Sequence, residues 1–264
     1  MGLDIRAFFN EEGIDVFSEV SVVSLTDADR RDVLELLPGA SSVIVFGKEV
    51  PAPAYKSTAK DKTRVMLRIA EALDNSAIRL ARCLNEEHFQ TRPVPLYLPV
   101  RIRDRHVQGL VRLKSVALSG KLGSIGKSSL LLSPQYGPRL LLSGVVTSRP
   151  VPESIPGDEI PALTGGPDSV PCTGCGRCIK VCPGSAFGPE GVDVFRCRTV
   201  RTWIFPPLVP LVLWILGRKT LLTCAAPFAP WIARIATIPC SLCVTECPLF
   251  EGSKVHNQNA EGEI

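Results

Sequence analysis

The chain has 264 residues, 45% of them hydrophobic and 21% charged, with a net charge of +4. That is ample apolar material for a packed core, and a small positive charge spread along the chain gives no case for nucleic acid as a partner. The start, Met1-Gly2-Leu3-Asp4-Ile5-Arg6, carries no apolar stretch of secretory type, and Arg6 stands where a myristoylation signal needs Ser or Thr. A cytoplasmic protein is expected, and there ten cysteines read as metal ligands or redox groups rather than a disulfide framework.

In chain order, residues 1–150 read as mixed α/β. A helix over Asp4–Glu12 is followed by Val16–Leu25, and Asp27-Ala28-Asp29 opens a second helix that ends near Leu37-Pro38-Gly39. Ser42–Gly47 is a short apolar run of buried-strand type. From Thr58 to Asn85, Met66, Ile69, Ala70, Leu73, Ala77, Leu80, Ala81 and Leu84 recur at helical spacing, which predicts a long amphipathic helix. Pro93–Val100 is extended and broken by prolines. Leu110–Ser119 and Leu140–Thr147 surround a glycine-rich turn, Gly120–Ser129. That turn lacks the first glycine of a P-loop, since Lys121 occupies the position, and its glycine spacing is not the Rossmann one. It reads as a tight turn or as a loop contacting a cofactor.

Residues 148–171 hold six prolines and three glycines, a linker composition that marks a domain boundary near 150. Beyond it, Trp203–Leu216 is a run of 14 uncharged residues with Arg201 before it and Arg218-Lys219 after. A spanning helix needs about 20 apolar residues, and Pro206, Pro207 and Pro210 work against a regular one. The stretch 203–239 reads as an insert packed on its own domain. Its alternatives are a docking surface for a partner and a peripheral membrane contact with the basic flanks at the headgroups. The tail 251–264 is polar.

The strongest signal is Cys172-x2-Cys175-x2-Cys178-x3-Cys182-Pro183. Three cysteines at every third residue wrap one cubane, Gly174 and Gly176 let the backbone approach it, and the cysteine before proline serves the other cluster of a pair. Zinc sites use cysteine pairs set further apart. A second run, Cys240-x2-Cys243-x3-Cys247-Pro248, has Thr237 at its first position. Two [4Fe–4S] clusters then need an eighth ligand from Cys197, Cys224 or Cys83, and Cys197, 15 residues after Cys182, is the choice. Crossing gives one cluster Cys172, Cys175, Cys178 and Cys247, and the other Cys182, Cys197, Cys240 and Cys243. Cys83 and Cys224 read as buried structural thiols.

These motifs resemble the epoxyqueuosine reductase and reductive dehalogenase superfamily. The resemblance is carried by Leu37-Pro38-Gly39-Ala40, Ala77–Ala81, Leu122-Gly123-Ser124-Ile125-Gly126-Lys127, Leu130–Leu140 and the cluster cysteines, with a lone cysteine after Arg196 that supports Cys197. It implies an α+β protein, a nitroreductase-like α/β domain followed by a bacterial ferredoxin-like two-cluster module. It further implies a base-off cobalamin (corrinoid) reduced through the clusters, with Leu122, Gly123, Ile125, Gly126, Lys127, Tyr136 and Gly137 near it. The phenol of Tyr136 is the candidate proton donor.

There are departures. The family's Asp proton donor, 19 residues before Gly126, falls at Val107, with Asp104 out of register. The sequence ends 17 residues after Cys247 and is not expected to carry the helical-repeat tail associated with tRNA recognition. The apolar insert is longer than the family's. Epoxyqueuosine reduction itself is therefore not expected. The expected function is an oxidoreductase passing single electrons to a corrinoid, its own or that of a partner corrinoid protein, with a redox partner protein as donor. The alternative is a ferredoxin-type carrier without a substrate.

Overall fold

The computed structural model describes residues 2–95, 100–103, 106–152, 172–188, 191–202 and 237–252. The apolar insert from 203 to 236, Cys224, Asp104, most of the proline-rich linker and the tail from 253 lie outside the described residues.

The order opens with α1 (Ile5–Glu11), whose first amides at Arg6 and Ala7 are capped by Asp4 Oδ1 at 2.9 and 3.1 Å. Then come β1 (Val16–Ser21), α2 (Asp27–Leu36), β2 (Ser42–Glu49), α3 (Ala52–Lys56) and α4 (Ala59–Glu86). Thr26 and Thr58 cap α2 and α4, each accepting from the amide three residues on. The next elements are β3 (Thr91–Pro93), a hairpin of β4 (Val100–Arg103) and β5 (His106–Gly109), and α5 (Leu113–Ser119). A two-residue ladder pairs β6 (Ser124–Ile125) with β7 (Leu131–Leu132), and β8 (Leu140–Thr147) follows.

The main sheet has the order β1-β2-β8-β3, antiparallel throughout. The run Ser42–Gly47 is buried on both faces because helices cover both. Val43 and Val45 face α2 and α5 with Val33, Val116 and Val146. Ile44 and Phe46 face α1 and α4 with Phe9, Leu73, Leu80 and Val145. The alternation of a strand thus feeds two separate cores.

The cysteine-rich part consists of short elements: α6 (Arg177–Lys180), the ladder β9 (Phe187–Gly188) with β10 (Gly191–Val192), α7 (Arg198–Arg201) and α8 (Leu242–Thr245). It shares a third apolar core with the sheet domain, in which Val244 and Phe250 pack on Val50, Ala54 and Tyr55. Buried Arg139 fastens the same junction. Its Nε donates to Phe250 O at 2.6 Å, Nη2 to Glu251 O at 3.2 Å, and Nη1 pairs with the Glu49 carboxylate. The anchored chain therefore extends into the tail expected from 251. Glu251 is held by Arg139, and Gly252 packs so closely on Gln135 that a Cβ there would stand 2.0 Å from its carbonyl oxygen.

Among the described residues no helix is long and apolar enough to cross a membrane.

Candidate functional site

The described cysteines are free thiols, and eight of them gather in two groups of four. Cys172, Cys175, Cys178 and Cys247 line one small cleft of about 20 Å³, together with Gly126, Lys127 and Ser128 of the glycine-rich turn. Burial pushes the Cys247 thiol up, and so does the charge of Cys178, Cys172 and Cys175 beside it. Cys182, Cys197, Cys240 and Cys243 line a different and much larger cavity. Burial raises Cys243 to about 11, and Cys240, Cys197 and Cys182 push in the same direction. Thiols that disfavour each other's ionised forms hold one another protonated, and a cation bound among them would release those protons.

Local backbone brings each group together. Gly174 and Gly176 have φ of +69° and +71°, the left-handed conformation that folds the Cys172–Cys178 loop back on itself. In the second group a Cβ on Gly184 would stand 1.9 Å from Arg196 O, so the chain after Cys182 lies directly on the chain before Cys197. Ala186 N donates to Cys182 Sγ at 3.4 Å, and Thr199 Oγ1 donates to Cys240 O at 3.2 Å.

Among the described residues no three Cys, His, Asp or Glu side chains close on a single metal ion. One ion with sulfurs at about 2.3 Å would need them drawn closer. A cubane, with an iron at each of four corners, takes its thiolates further apart.

The second group opens into a cavity of about 1000 Å³ between the sheet domain and the cysteine-rich part. Its sheet-side wall is Leu140–Ser143 of β8, the start of α5 from Arg112 to Ser115, and Ser128–Leu131. Arg112 Nε stands 2.9 Å from Asp29 Oδ1 and 3.3 Å from Asp32. The approach to Asp29 is angled, so neither atom makes a well-formed hydrogen bond there, and Arg112 Nη2 has no partner among the described residues. Asp29 itself is 1% exposed and accepts from Thr26 and Ser115. Lys114 is open to the cavity and donates to Ser129 O at 2.8 Å. Protein around it lowers its pKa, and Cys243 pulls the value back. Ser143 is 1% exposed, and its Oγ has no hydrogen-bond partner among the described residues.

The residues expected near a cofactor are divided by the structure. Ile125 lines the large cavity. Gly126 and Lys127 instead face the first cysteine group, with Lys127 Nζ donating to Gly174 O at 3.3 Å. Leu122 is in the sheet core. Gly123 lies against the Leu132 backbone, and Gly137 against Leu249 O, 1.7 Å from where its Cβ would be. Tyr136 is 5% exposed in the core with Val20 and Val146 and does not line the cavity, so its proposed proton-donor role has no opening there. For Tyr136 and Gly137 the reason is local. The Ser133–Gly137 turn closes on itself and is used up in seating the segment after Cys247.

No family model matches the chain. Over 226 residues it is 21% identical to the epoxyqueuosine reductase of Bacillus subtilis, which covers 84% of this chain and 50% of that protein. Over 101 residues it is 33% identical to the epoxyqueuosine reductase of Pseudomonas aeruginosa, covering 38% of this chain and 25% of that one. The solved structure of epoxyqueuosine reductase from Streptococcus thermophilus matches with a TM-score of 0.59 at 16% identity, over 94% of this chain and 65% of that chain. The chain resembles the epoxyqueuosine reductase superfamily. In both sequence matches it spans half or less of the relative's length, and at 16% identity the structural likeness is one of fold.

The site also holds residues that neither motif nor resemblance singled out. Lys62 on α4 is 4% exposed and reaches the second cysteine group, donating to Ser241 Oγ at 3.0 Å. A signal was present, because Lys62 is in step with Met66, Ile69 and Leu73 on the apolar stripe. Lys114 and Ser143 gave none, since neither lies in a motif.

Proposed function

We propose that this chain is an iron–sulfur oxidoreductase in which each cysteine group holds a [4Fe–4S] cluster. Single electrons pass from the outer group, Cys172 with its partners, through the inner group, Cys182 with its partners, to a corrinoid in the cavity. The observation that carries the reading is that the inner group lines the same cavity of about 1000 Å³ as β8 and α5.

The residues fit both groups. Four thiols per set is the ligand count of a cubane. A mostly apolar cavity at the upper end of the size range for ligand sites, with a few convergent polar groups, suits a large flat cofactor. When bound, a corrinoid supplies a metal centre able to take electrons and attack a substrate.

The chain's own residues bind, exclude and donate. Leu140, Leu141 and Leu142 form an apolar wall that keeps water from the cofactor. Arg112, ion-paired with Asp29 and Asp32, and Ser143 belong to the same wall, with the unpartnered Arg112 Nη2 and Ser143 Oγ themselves buried. Lys114 carries a proton at Nζ inside the cavity, and its lowered pKa eases release of that proton to a reduced product. Tyr136, in the core, has no part in this. Lys127 braces the outer group by holding Gly174 O.

The relatives' name describes reduction of epoxyqueuosine. It is not part of this proposal, because Val107 on β5 occupies the position where the resemblance expects an acid. A low-potential redox protein is the expected electron donor. A carrier with no substrate of its own has no use for a cavity of this size beside its inner ligands.

The test is an anaerobic titration of the cluster-reconstituted protein with hydroxocobalamin under reductant. A stoichiometric base-off spectrum is expected. Absence of binding at roughly tens of micromolar would remove the corrinoid from the account.

A further inference from the structure

Lys62 sits on the buried face of α4, and among the described residues its ammonium has one hydrogen bond, to Ser241 Oγ at 3.0 Å. Ser241 lies between Cys240 and Cys243. No carboxylate pairs with Lys62 among the described residues. At 4% exposure, one hydroxyl does not replace the hydration an ammonium loses, so burial favours the neutral amine and the charged form is held by a negative charge close by. The inner thiolates are that charge. Cys240 raises the Lys62 pKa against the lowering effect of burial. Thr63 strengthens the same attachment by accepting from Ile238 N at 2.8 Å, so two successive residues of α4 hold the segment that carries the inner ligands.

The outer group has cations too, but of another kind. Lys127 and Arg177 are both exposed, and water screens them. Lys114 faces the inner group from the cavity and is open to solvent there. Lys62 is a buried fixed charge.

We propose that Lys62 is a positioning residue that raises the reduction potential of the inner cluster above that of the outer one, directing electrons toward the cavity. The inference rests on the two-cluster reading above. In the step concerned, one electron from an external donor adds one negative charge to the inner cluster. No bond forms or breaks and no proton moves. A nearby fixed cation favours the more negative state, so the potential rises with it and falls without it.

The test is a redox titration of the reconstituted full chain with dithionite, followed by electron paramagnetic resonance, on wild type, Lys62→Gln, Lys62→Arg and Lys114→Gln. In Lys62→Gln the iron content is expected to stay at about eight per chain. The equilibrium constant for reducing one cluster should fall tenfold or more, about 59 mV per tenfold for one electron, while the other cluster does not move. Lys62→Arg should stay close to wild type, and Lys114→Gln should shift the same cluster by less. Unchanged potentials in Lys62→Gln at full iron content overturn the inference. If Lys62→Gln does not assemble, Ser241→Ala keeps the charge and removes its tether. A smaller fall at the same cluster supports the inference, and no shift overturns it. Wild-type iron nearer four than eight per chain would remove the two-cluster reading itself, and the inference with it.

Discussion

The two cysteine groups each gather four thiols and sit in opposite surroundings. The outer group lies over the glycine-rich turn, in a cleft of about 20 Å³, with Cys175 exposed. The inner group lines a cavity of about 1000 Å³ and has a buried lysine behind it. Ligand spacing decides what can be bound, and the fold around each group decides where an electron can go next. An exposed edge suits entry from a partner, and a cavity suits delivery to a cofactor.

The comparison can be broken most severely at the ligands. Cys197→Ala is expected to lower iron from about eight to about four per chain by removing the inner cluster alone. Cys83→Ala, on α4, should change nothing in the iron assay. Loss of both clusters in Cys197→Ala would mean that the two groups assemble as one.

Next in size is the junction that both groups depend on. Arg139→Met takes the guanidinium from Glu49 and strips Phe250 O and Glu251 O of their donors. Breaking a buried pair of this kind costs roughly 3–5 kcal/mol, to be read from denaturant midpoints. The outer cluster, which uses nearby Cys247, should be lost before the inner one.

Two glycines then separate the groups. Gly137, with φ +54°, lies against Leu249 two residues after Cys247, and Gly184 lies against Arg196 beside Cys197. Either change to Ala should destabilise by roughly 1–3 kcal/mol. Gly137→Ala should disturb the outer cluster's resonance signal and Gly184→Ala the inner one's. The same signal moving in both variants would contradict the division.

The smallest effect is expected at Ser143→Ala. It deletes a buried hydroxyl that has no partner among the described residues, so stability should change by less than about 0.5 kcal/mol or rise slightly.

Much of the scaffold was legible because its signals are local. Thr58 and the apolar period predicted α4 within a residue at each end, and Ser42–Gly47 predicted the inner strand, which extends to Glu49. The hairpin of β4 and β5 was missed: Val100-Arg101-Ile102-Arg103 does alternate, but each strand has only four residues and the basic run 101–106 was read as a solvated turn. The glycine-rich turn was legible as a turn, but what it touches was not. Gly126 and Lys127 face the outer cysteines because the turn shares one cleft with the Cys172–Cys178 loop and with Cys247–Leu249, the latter more than 100 residues away. Tyr136 illustrates the same limit, since nothing in its neighbours distinguishes a core phenol from one in a cavity. Lys62 was not singled out although its register lies on the buried stripe.

The central claim is that the inner cysteine group, and not the outer one, faces the cofactor. Low-temperature electron paramagnetic resonance of reduced protein loaded with a Co(II) corrinoid tests it most directly. A cobalt signal broadened or split by a neighbouring reduced cluster, returning to its isolated form in Cys197→Ala, is the predicted result. A cobalt signal that is already sharp and isolated in the wild-type protein with both clusters present would contradict it.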